Sequence, residues 1–256
     1  MKMQRSFLFF LLICLIQFGL NAQEERLRIN SGKIISFDFT YGFHLPGGDL
    51  NDRFGRNNDI GGALSFMTDK GNWIFGIRGG YLFGKFVDED VLEGFRTASG
   101  NIIGSSSTFA NVALLERGIY SNIEFGKLIG LVPGNPRSGL RVTLGMGFLQ
   151  HKIRFEEDRS SFVPQIINDY AKGYDRLSNG FAVTEFIGYQ HMAVNRLVNF
   201  YVGFEFVQAF TQNRRDWDFL LERKDETKRK DFLSGFKVGW ILPFYISPES
   251  SESIRY

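Results

Sequence analysis

The sequence has little of three things that define common protein classes. It contains one cysteine in 256 residues, so a disulfide scaffold is excluded. Its formal net charge is only +2, which argues against a nucleic-acid-binding protein. Beyond residue 22 it has no apolar run of about 18 residues, and this excludes a helical membrane protein.

Phenylalanine and glycine are abundant instead. The chain has 28 Phe and 29 Gly, and aromatic residues reach 16%. Its mean hydropathy of −0.13 is nevertheless that of a soluble protein. Length alone allows one large domain or two small ones, so the pattern in which Phe and Gly occur has to decide the architecture.

The first 22 residues predict a cleaved secretory signal peptide. Lys2 and Arg5 form a basic start, the segment Phe7–Leu20 is apolar except for Gln17, and Ala22 offers a small residue before the cut. An N-terminal membrane anchor is the alternative, but this apolar core is shorter than the roughly 20 residues of a spanning helix.

A lipoprotein processed before Cys14 is a third possibility, disfavoured by the bulky Ile13. Cleavage after residue 22 removes the cysteine, two of the 30 bases and no acid, which leaves 28 of each charge. The exported chain then has no disulfide and no thiol redox chemistry.

Hydrophobicity alternates with a period of two after the signal peptide. In Ile35–Leu45 every odd position is large and apolar, and every even position is polar or glycine. Seven further segments follow at about 60–66, 73–84, 115–128, 140–148, 178–191, 200–210 and 232–244. We therefore predict eight strands. The apolar face changes parity near Glu185, which indicates either a β-bulge or a strand that faces protein instead of lipid.

The two faces differ strongly in side-chain size. One face is Phe, Tyr, Trp, Leu and Ile, while the other is Gly, Ser, Thr, Ala and scattered charges. An eight-stranded barrel has a narrow interior, and its outside can be wholly apolar only in lipid. The pattern predicts an all-β fold, an up-and-down antiparallel transmembrane β-barrel of eight strands in the cell outer membrane. A soluble lipocalin-like barrel is the alternative.

The connections between the predicted strands are alternately long and short, which also favours a membrane barrel. The long ones are about 46–58, 86–114, 156–177 and 212–231, and the short ones are 68–72, 129–138 and 193–198. Long loops are extracellular in such barrels and short turns periplasmic. We predict a periplasmic segment at 23–33, the barrel at 34–245 and a periplasmic tail at 246–256, with disorder favoured over a docking peptide.

Aromatic residues near strand ends predict an interfacial girdle. These are Tyr41, Phe43, Trp73, Tyr81, Phe83, Tyr189, Phe200, Phe210, Phe244 and Tyr245.

On the small-residue face, charges recur on six strands: Asp38, Arg78, Glu124, Arg141, Glu205 and Lys237. Buried charges need partners, so we predict a neutralising network that plugs the lumen. A proton or ion path is the alternative.

Signs of catalysis or metal binding are weak. His44 and His151 fall at extracellular strand ends and His191 at a periplasmic end, without the close His or Cys spacing of a metal site. No serine lies beside His44 or His151 on the same face, so strand phase assembles no catalytic triad. We predict no cofactor and no catalytic residue.

Within the last long connection, four residues are apolar although they lie outside the lipid region: Trp217, Phe219, Leu220 and Leu221. Exposed apolar side chains of this kind predict a contact with a partner protein.

Four segments carry a family resemblance. They are Gly173–Phe181 (GYDRLSNGF), Phe186–Tyr189 (FIGY), Asn199–Phe206 (NFYVGFEF) and Gly239–Tyr245 (GWILPFY). They resemble a largely uncharacterised family of small outer-membrane β-barrel proteins from Bacteroidota. The resemblance implies residence in the outer membrane, and some small barrels of this phylum look like accessory subunits of assembly or secretion machines. The polar tail after Tyr245 departs from the usual terminal aromatic closure.

The function predicted from these features is non-enzymatic. The chain is expected to be an accessory or structural subunit of a larger outer-membrane complex. Its partners would be outer-membrane lipid and cell-surface proteins reached through the long loops, with no nucleic acid and no small-molecule cofactor. The alternatives are a stand-alone structural or adhesive barrel and a lipid-modifying enzyme.

Overall fold

The structure is a computed structural model that describes residues 30, 32–105, 107–157, 163–194 and 197–246. The predicted signal peptide, most of the predicted periplasmic segment and the tail beyond residue 246 lie outside the described residues. Within those ranges, no helix has both the length and the apolar character needed to span a bilayer.

Ten strands form within the described ranges. They are β1 (Lys33–Gly48), β2 (Asn57–Met67), β3 (Trp73–Gly84), β4 (Ile102–Ile103), β5 (Phe109–Ala110), β6 (Val112–Val132), β7 (Asn135–Glu157), β8 (Ser178–Met192), β9 (Asn199–Asn213) and β10 (Lys228–Ile246). β4 and β5 pair only with each other. The other eight form a closed antiparallel barrel, in which β10 pairs with β1 to complete the ring. The predicted eight-stranded architecture is confirmed.

The strands are longer than their apolar cores predicted. β6 runs to Val132 and β7 begins at Asn135, so the turn predicted at 129–138 is wrong and only residues 133 and 134 connect these strands. Gly134 takes the left-handed conformation, with φ of 76°, that such a tight turn requires. At the opposite end, the long connections are 49–56, 85–111, 158–177 and 214–227, which we call L1 to L4. Because long loops are extracellular in such barrels, we name this end extracellular and the end with the short turns periplasmic.

The outer wall is apolar and the lumen is not. In β1, burial alternates at every residue from Lys33 to Leu45, with Phe39 half exposed and Asp38 fully buried. The same alternation runs along the other barrel strands. This inverted distribution is that of a transmembrane barrel, the class that occupies bacterial outer membranes.

Strand β8 keeps its register throughout. Its pairing with β7 and with β9 contains no bulge, so that explanation of the parity change is wrong. The apparent change comes from Phe186, a large side chain that points into the lumen and is buried. Gly188 and Gly203 give it room, because its ring lies directly over both. Glu185 itself lies on the outer wall.

Most residues of the aromatic girdle lie on the outer wall near the two ends of the strands. Tyr245 does not, and its assignment to the girdle is wrong. It lies on the inward parity of β10, packs against the buried residues at the periplasmic end, and donates a hydrogen bond of 2.5 Å to Asn30 Oδ1.

The lumen is filled in three layers. Three strands show the order from the periplasmic end: Ile74, Arg78 and Leu82 in β3; Tyr201, Glu205 and Ala209 in β9; and Ile241, Lys237 and Leu233 in β10. The first residue of each trio belongs to a periplasmic apolar layer and the last to an extracellular apolar layer. Loop side chains complete the extracellular layer, including Leu50, Phe54 and Leu92. A charged layer is therefore enclosed between two apolar ones.

Candidate functional site

All six charged residues predicted for the lumen lie inside the barrel. Asp38, Arg78, Glu124, Arg141, Glu205 and Lys237 are each at most 2% exposed. Successive side chains of a strand point to opposite faces of the sheet, and each of these residues occupies an inward-facing position of its strand. They form the charged layer.

Arg78 is the central cation of this layer. Its Nε lies 2.8 Å from Glu124 Oε1, and its Nη1 lies 3.2 Å from Glu205 Oε2. Lys237 Nζ lies 2.5 Å from Glu205 Oε1. The four side chains therefore form a continuous chain across the lumen, with acids and bases alternating.

Tyr201 connects this chain to the remaining two charges. Its hydroxyl accepts a hydrogen bond of 3.2 Å from Arg78, and the guanidinium of Arg141 stacks over its ring at 4.2 Å. Arg141 in turn pairs with Asp38, at 3.6 Å. Tyr201 is fully buried, so its cation–π contact with Arg141 is shielded from water.

Two members of the charged layer were missed by sequence reasoning, His44 and Asp59. His44 Nδ1 lies 3.4 Å from Asp59 Oδ2, and its Nε2 lies 3.3 Å from Glu205 Oε1. The charged layer then holds four acids (Asp38, Asp59, Glu124 and Glu205), three bases (Arg78, Arg141 and Lys237) and the imidazole of His44. Extending the alternation of β2 by one inward position would have found Asp59.

The same cluster brings three metal-ligating side chains together, contrary to the expectation from sequence spacing. Donor atoms of His44, Asp59 and Glu205 all lie within 4.8 Å of one another. Lys237 Nζ is also 3.4 Å from Asp59 Oδ1. Because this ammonium and Arg78 already neutralise the carboxylates, the arrangement is that of an ion-pair network.

A hydrogen-bonded trio lies nearer the extracellular end. His151 Nε2 is 2.9 Å from Asp231 Oδ2, and Thr211 donates to the same carboxylate oxygen. His151 and Asp231 are both fully buried, and the ring of Phe54 packs edge-on against the imidazole at 5.6 Å. The catalytic groups of a hydrolase must be accessible to the substrate, and these three side chains are buried.

The four long loops are tied together by ion pairs, and we call this assembly the loop cap. Arg53 of L1 contacts Glu89 of L2 at 2.8 Å, and Glu89 also contacts Arg176 of L3 at 2.9 Å. Arg176 pairs with Asp218 of L4. Burial lowers the pKa of Arg53 below its ordinary value, and the neighbouring Glu89 opposes this shift. One chain of charges thus spans all four loops.

An aromatic stack reinforces the loop cap. Tyr174 of L3 packs against Phe95 of L2 and against Phe219 of L4, with ring centroids 5.2 Å apart in both pairs. Arg215 of L4 also makes two hydrogen bonds to the Asp175 carboxylate of L3. The cap is therefore a preformed surface at the extracellular end.

The four residues predicted to contact a partner lie in L4 on this cap. Trp217, Phe219, Leu220 and Leu221 are 39 to 50% exposed. Asp218 holds the turn between them by accepting hydrogen bonds from the backbone N–H groups of Leu220 and Leu221. Phe219 differs from the others because its ring is partly engaged with Tyr174. We call these four residues the L4 tip.

Comparisons with known proteins find similarity in structure and not in sequence. No protein-family model matches the chain, and no curated protein matches it. The resemblance to a Bacteroidota family thus stays a prediction. Among solved structures, the chain is similar to Neisserial surface protein A, with a TM-score of 0.38 and 11% identity over 84% of this chain and 98% of that one.

Two further solved structures are similar to a comparable extent. The attachment invasion locus protein Ail of Yersinia pestis, solved with a heparin analogue, matches with a TM-score of 0.34 and 10% identity over 83% of this chain and 99% of that one. Outer membrane protein OprG of Pseudomonas aeruginosa matches with a TM-score of 0.34 and 11% identity over 84% and 97%, respectively. Residue roles do not transfer at these identities.

Proposed function

We propose that this outer-membrane barrel is a non-enzymatic, non-conducting accessory subunit that contacts a partner protein through the L4 tip. The observation that carries the proposal is the exposure of Trp217, Leu220 and Leu221 on a loop held by the cap. Large apolar side chains exposed to water mark contact sites, and tryptophan is enriched among residues that dominate binding energy.

The rigidity of the cap favours binding. A flexible loop loses conformational entropy when it binds, whereas a preformed surface has already lost it. The Asp218 carboxylate accepts a hydrogen bond from the backbone of the L4 tip and forms an ion pair with Arg176 of L3. The apolar side chains are therefore presented in one arrangement.

The filled lumen supports the absence of conduction. The cavity beside His44, Asp59 and Tyr120 has a volume of only about 20 Å³, room for about one water molecule. The apolar layers above and below the charges raise the cost of moving an ion along the axis. The buried His151, Asp231 and Thr211 likewise give no support to a lipid-modifying enzyme.

The test is co-purification from membranes in mild detergent. The wild-type protein is expected to elute in a large complex, and W217A/L220A/L221A is expected to elute as the barrel alone. A matched control is I103A/F109A, which removes exposed apolar side chains from the β4–β5 hairpin. It should retain the complex.

The alternatives give different results. Wild-type protein that elutes alone would favour a stand-alone structural or adhesive barrel. Loss of the complex in both variants would assign the contact to general surface hydrophobicity instead of the L4 tip. Heat-dependent mobility on gels confirms that each variant still forms the barrel.

A further inference from the structure

An open groove lies on the outer wall at its extracellular edge, outside the lumen and the L4 tip. It has a volume of about 310 Å³ and spans the ends of β1, β2, β3 and β6. Apolar side chains of Phe43, Phe83 and Leu115 line it. Arg56 and Lys85 also border it, together with Arg117. The groove therefore combines an apolar surface with three positive charges.

Among the described residues, Arg56, Lys85 and Arg117 form no ion pair within 4.0 Å. Arg117 Nη1 donates hydrogen bonds to the backbone carbonyl oxygens of Glu116, at 2.7 Å, and Gly84, at 3.4 Å, which fixes the guanidinium at the groove. Arg56 and Lys85 instead contact the ring of Phe86, at 4.6 and 5.4 Å, which holds both charges together. Elsewhere on the loop cap, arginines such as Arg53, Arg96 and Arg215 do pair with acids.

Strand pairing places a further like charge beside the groove. Arg117 of β6 is directly opposite Lys152 of β7, and both have outward parity. Like charges directly opposite on antiparallel strands are destabilising. Lys152 approaches one acid, Asp175, only at 3.9 Å. An external anion would relieve this repulsion.

The location indicates which anion. On the periplasmic side of the groove, the outward residues are those of the lipid-facing band, including Phe37, Phe75 and Ile77. The groove thus lies at the level of the headgroups of the outer leaflet. Arginine forms paired, charge-assisted hydrogen bonds with phosphate oxygens, and clustered bases on a membrane surface bind anionic headgroups.

We propose that this groove binds the phosphate of a phosphorylated glycolipid in the outer leaflet. Arg56, Lys85 and Arg117 hold the phosphate oxygens. One acyl chain of the lipid packs along Phe43, Phe83 and Leu115. The proposal does not depend on the partner contact of the L4 tip, which lies on a different surface.

Native mass spectrometry of the detergent-purified protein tests the proposal. The probes are diphosphorylated lipid A, the same lipid without its phosphates, and inorganic phosphate. The wild-type protein is expected to bind the phosphorylated lipid at least tenfold more tightly than the dephosphorylated one. R56Q/K85Q/R117Q should bind it about 100-fold more weakly, because each base near a membrane surface contributes roughly a factor of five. Each single variant should lose about that factor, which keeps the test usable if the triple variant does not fold.

The control variant K172Q/R223Q/K224Q removes the same charge from exposed positions of L3 and L4. It should bind the phosphorylated lipid as the wild type does. Equal affinity for the two lipids, or unchanged affinity in the triple variant, would overturn the proposal. An equal loss in the control would overturn it in favour of general attraction to positive charge. Competition by inorganic phosphate at the concentration of the lipid would assign the groove to free phosphate instead.

Discussion

Replacing Lys237 with methionine should destabilise the barrel severely. Lys237 is 1% exposed, and its ammonium lies 2.5 Å from Glu205 and 3.4 Å from Asp59. Methionine preserves much of the volume, so the main loss is electrostatic. Removing one partner of a buried ion pair costs about 3–5 kcal/mol, because the other charge stays buried without compensation. We expect a loss of that size in the free energy of unfolding.

Urea unfolding of the refolded protein in detergent micelles measures this loss, with tryptophan fluorescence and heat-dependent gel mobility as readouts. Lys70→Met is the control, since Lys70 is exposed in the periplasmic turn. The double variant K237M/E205Q should be more stable than the sum of the single losses predicts, by about 0.5–3 kcal/mol. A Lys237→Met barrel within about 0.5 kcal/mol of the wild type, or strictly additive losses, would refute the assignment of a coupled charged layer.

Three further outcomes are expected. His44→Gln removes a buried imidazole that contacts the carboxylates of Asp59 and Glu205 and should destabilise the barrel by about 1–3 kcal/mol in the same urea assay, whereas His191→Gln, at the periplasmic end, should change little. The wild-type protein should give no stepwise conductance in planar bilayers, and regular ohmic steps would contradict the filled lumen. The side-chain hydrogen bond from Arg96 lowers the pKa of Asp90 below its ordinary value of 3.8. Its contribution to loop order is therefore present above that pH and lost as the pH falls through the lowered value. NMR titration of Arg96→Gln should show the Asp90 pKa rise.

Much of the fold was predictable because side chains along a strand alternate between its two faces every second residue. That period alone assigns Asp38, Arg78 and Lys237 to the lumen and Phe39 to the lipid. The strand ends were less predictable. β6 and β7 continue beyond the segments in which apolar and polar residues alternate. In these extensions the two strands pair through their backbones, and the sequence need not alternate.

The contacts across the lumen were not predictable. His44 and Glu205 lie on β1 and β9, which are not neighbours in the ring. Their approach depends on the stagger of all strands around the barrel, a property that no single segment encodes. The inward position of Phe186 in β8 was not predictable either, because the space for its ring is provided by Gly203 on the adjacent strand.

The chain of charges through Arg53, Glu89, Arg176 and Asp218 has a consequence for exchanging the extracellular loops. Each loop supplies a residue that another loop needs, so a loop transplanted from a different barrel breaks ion pairs in its neighbours. The loops are expected to vary together and not one at a time.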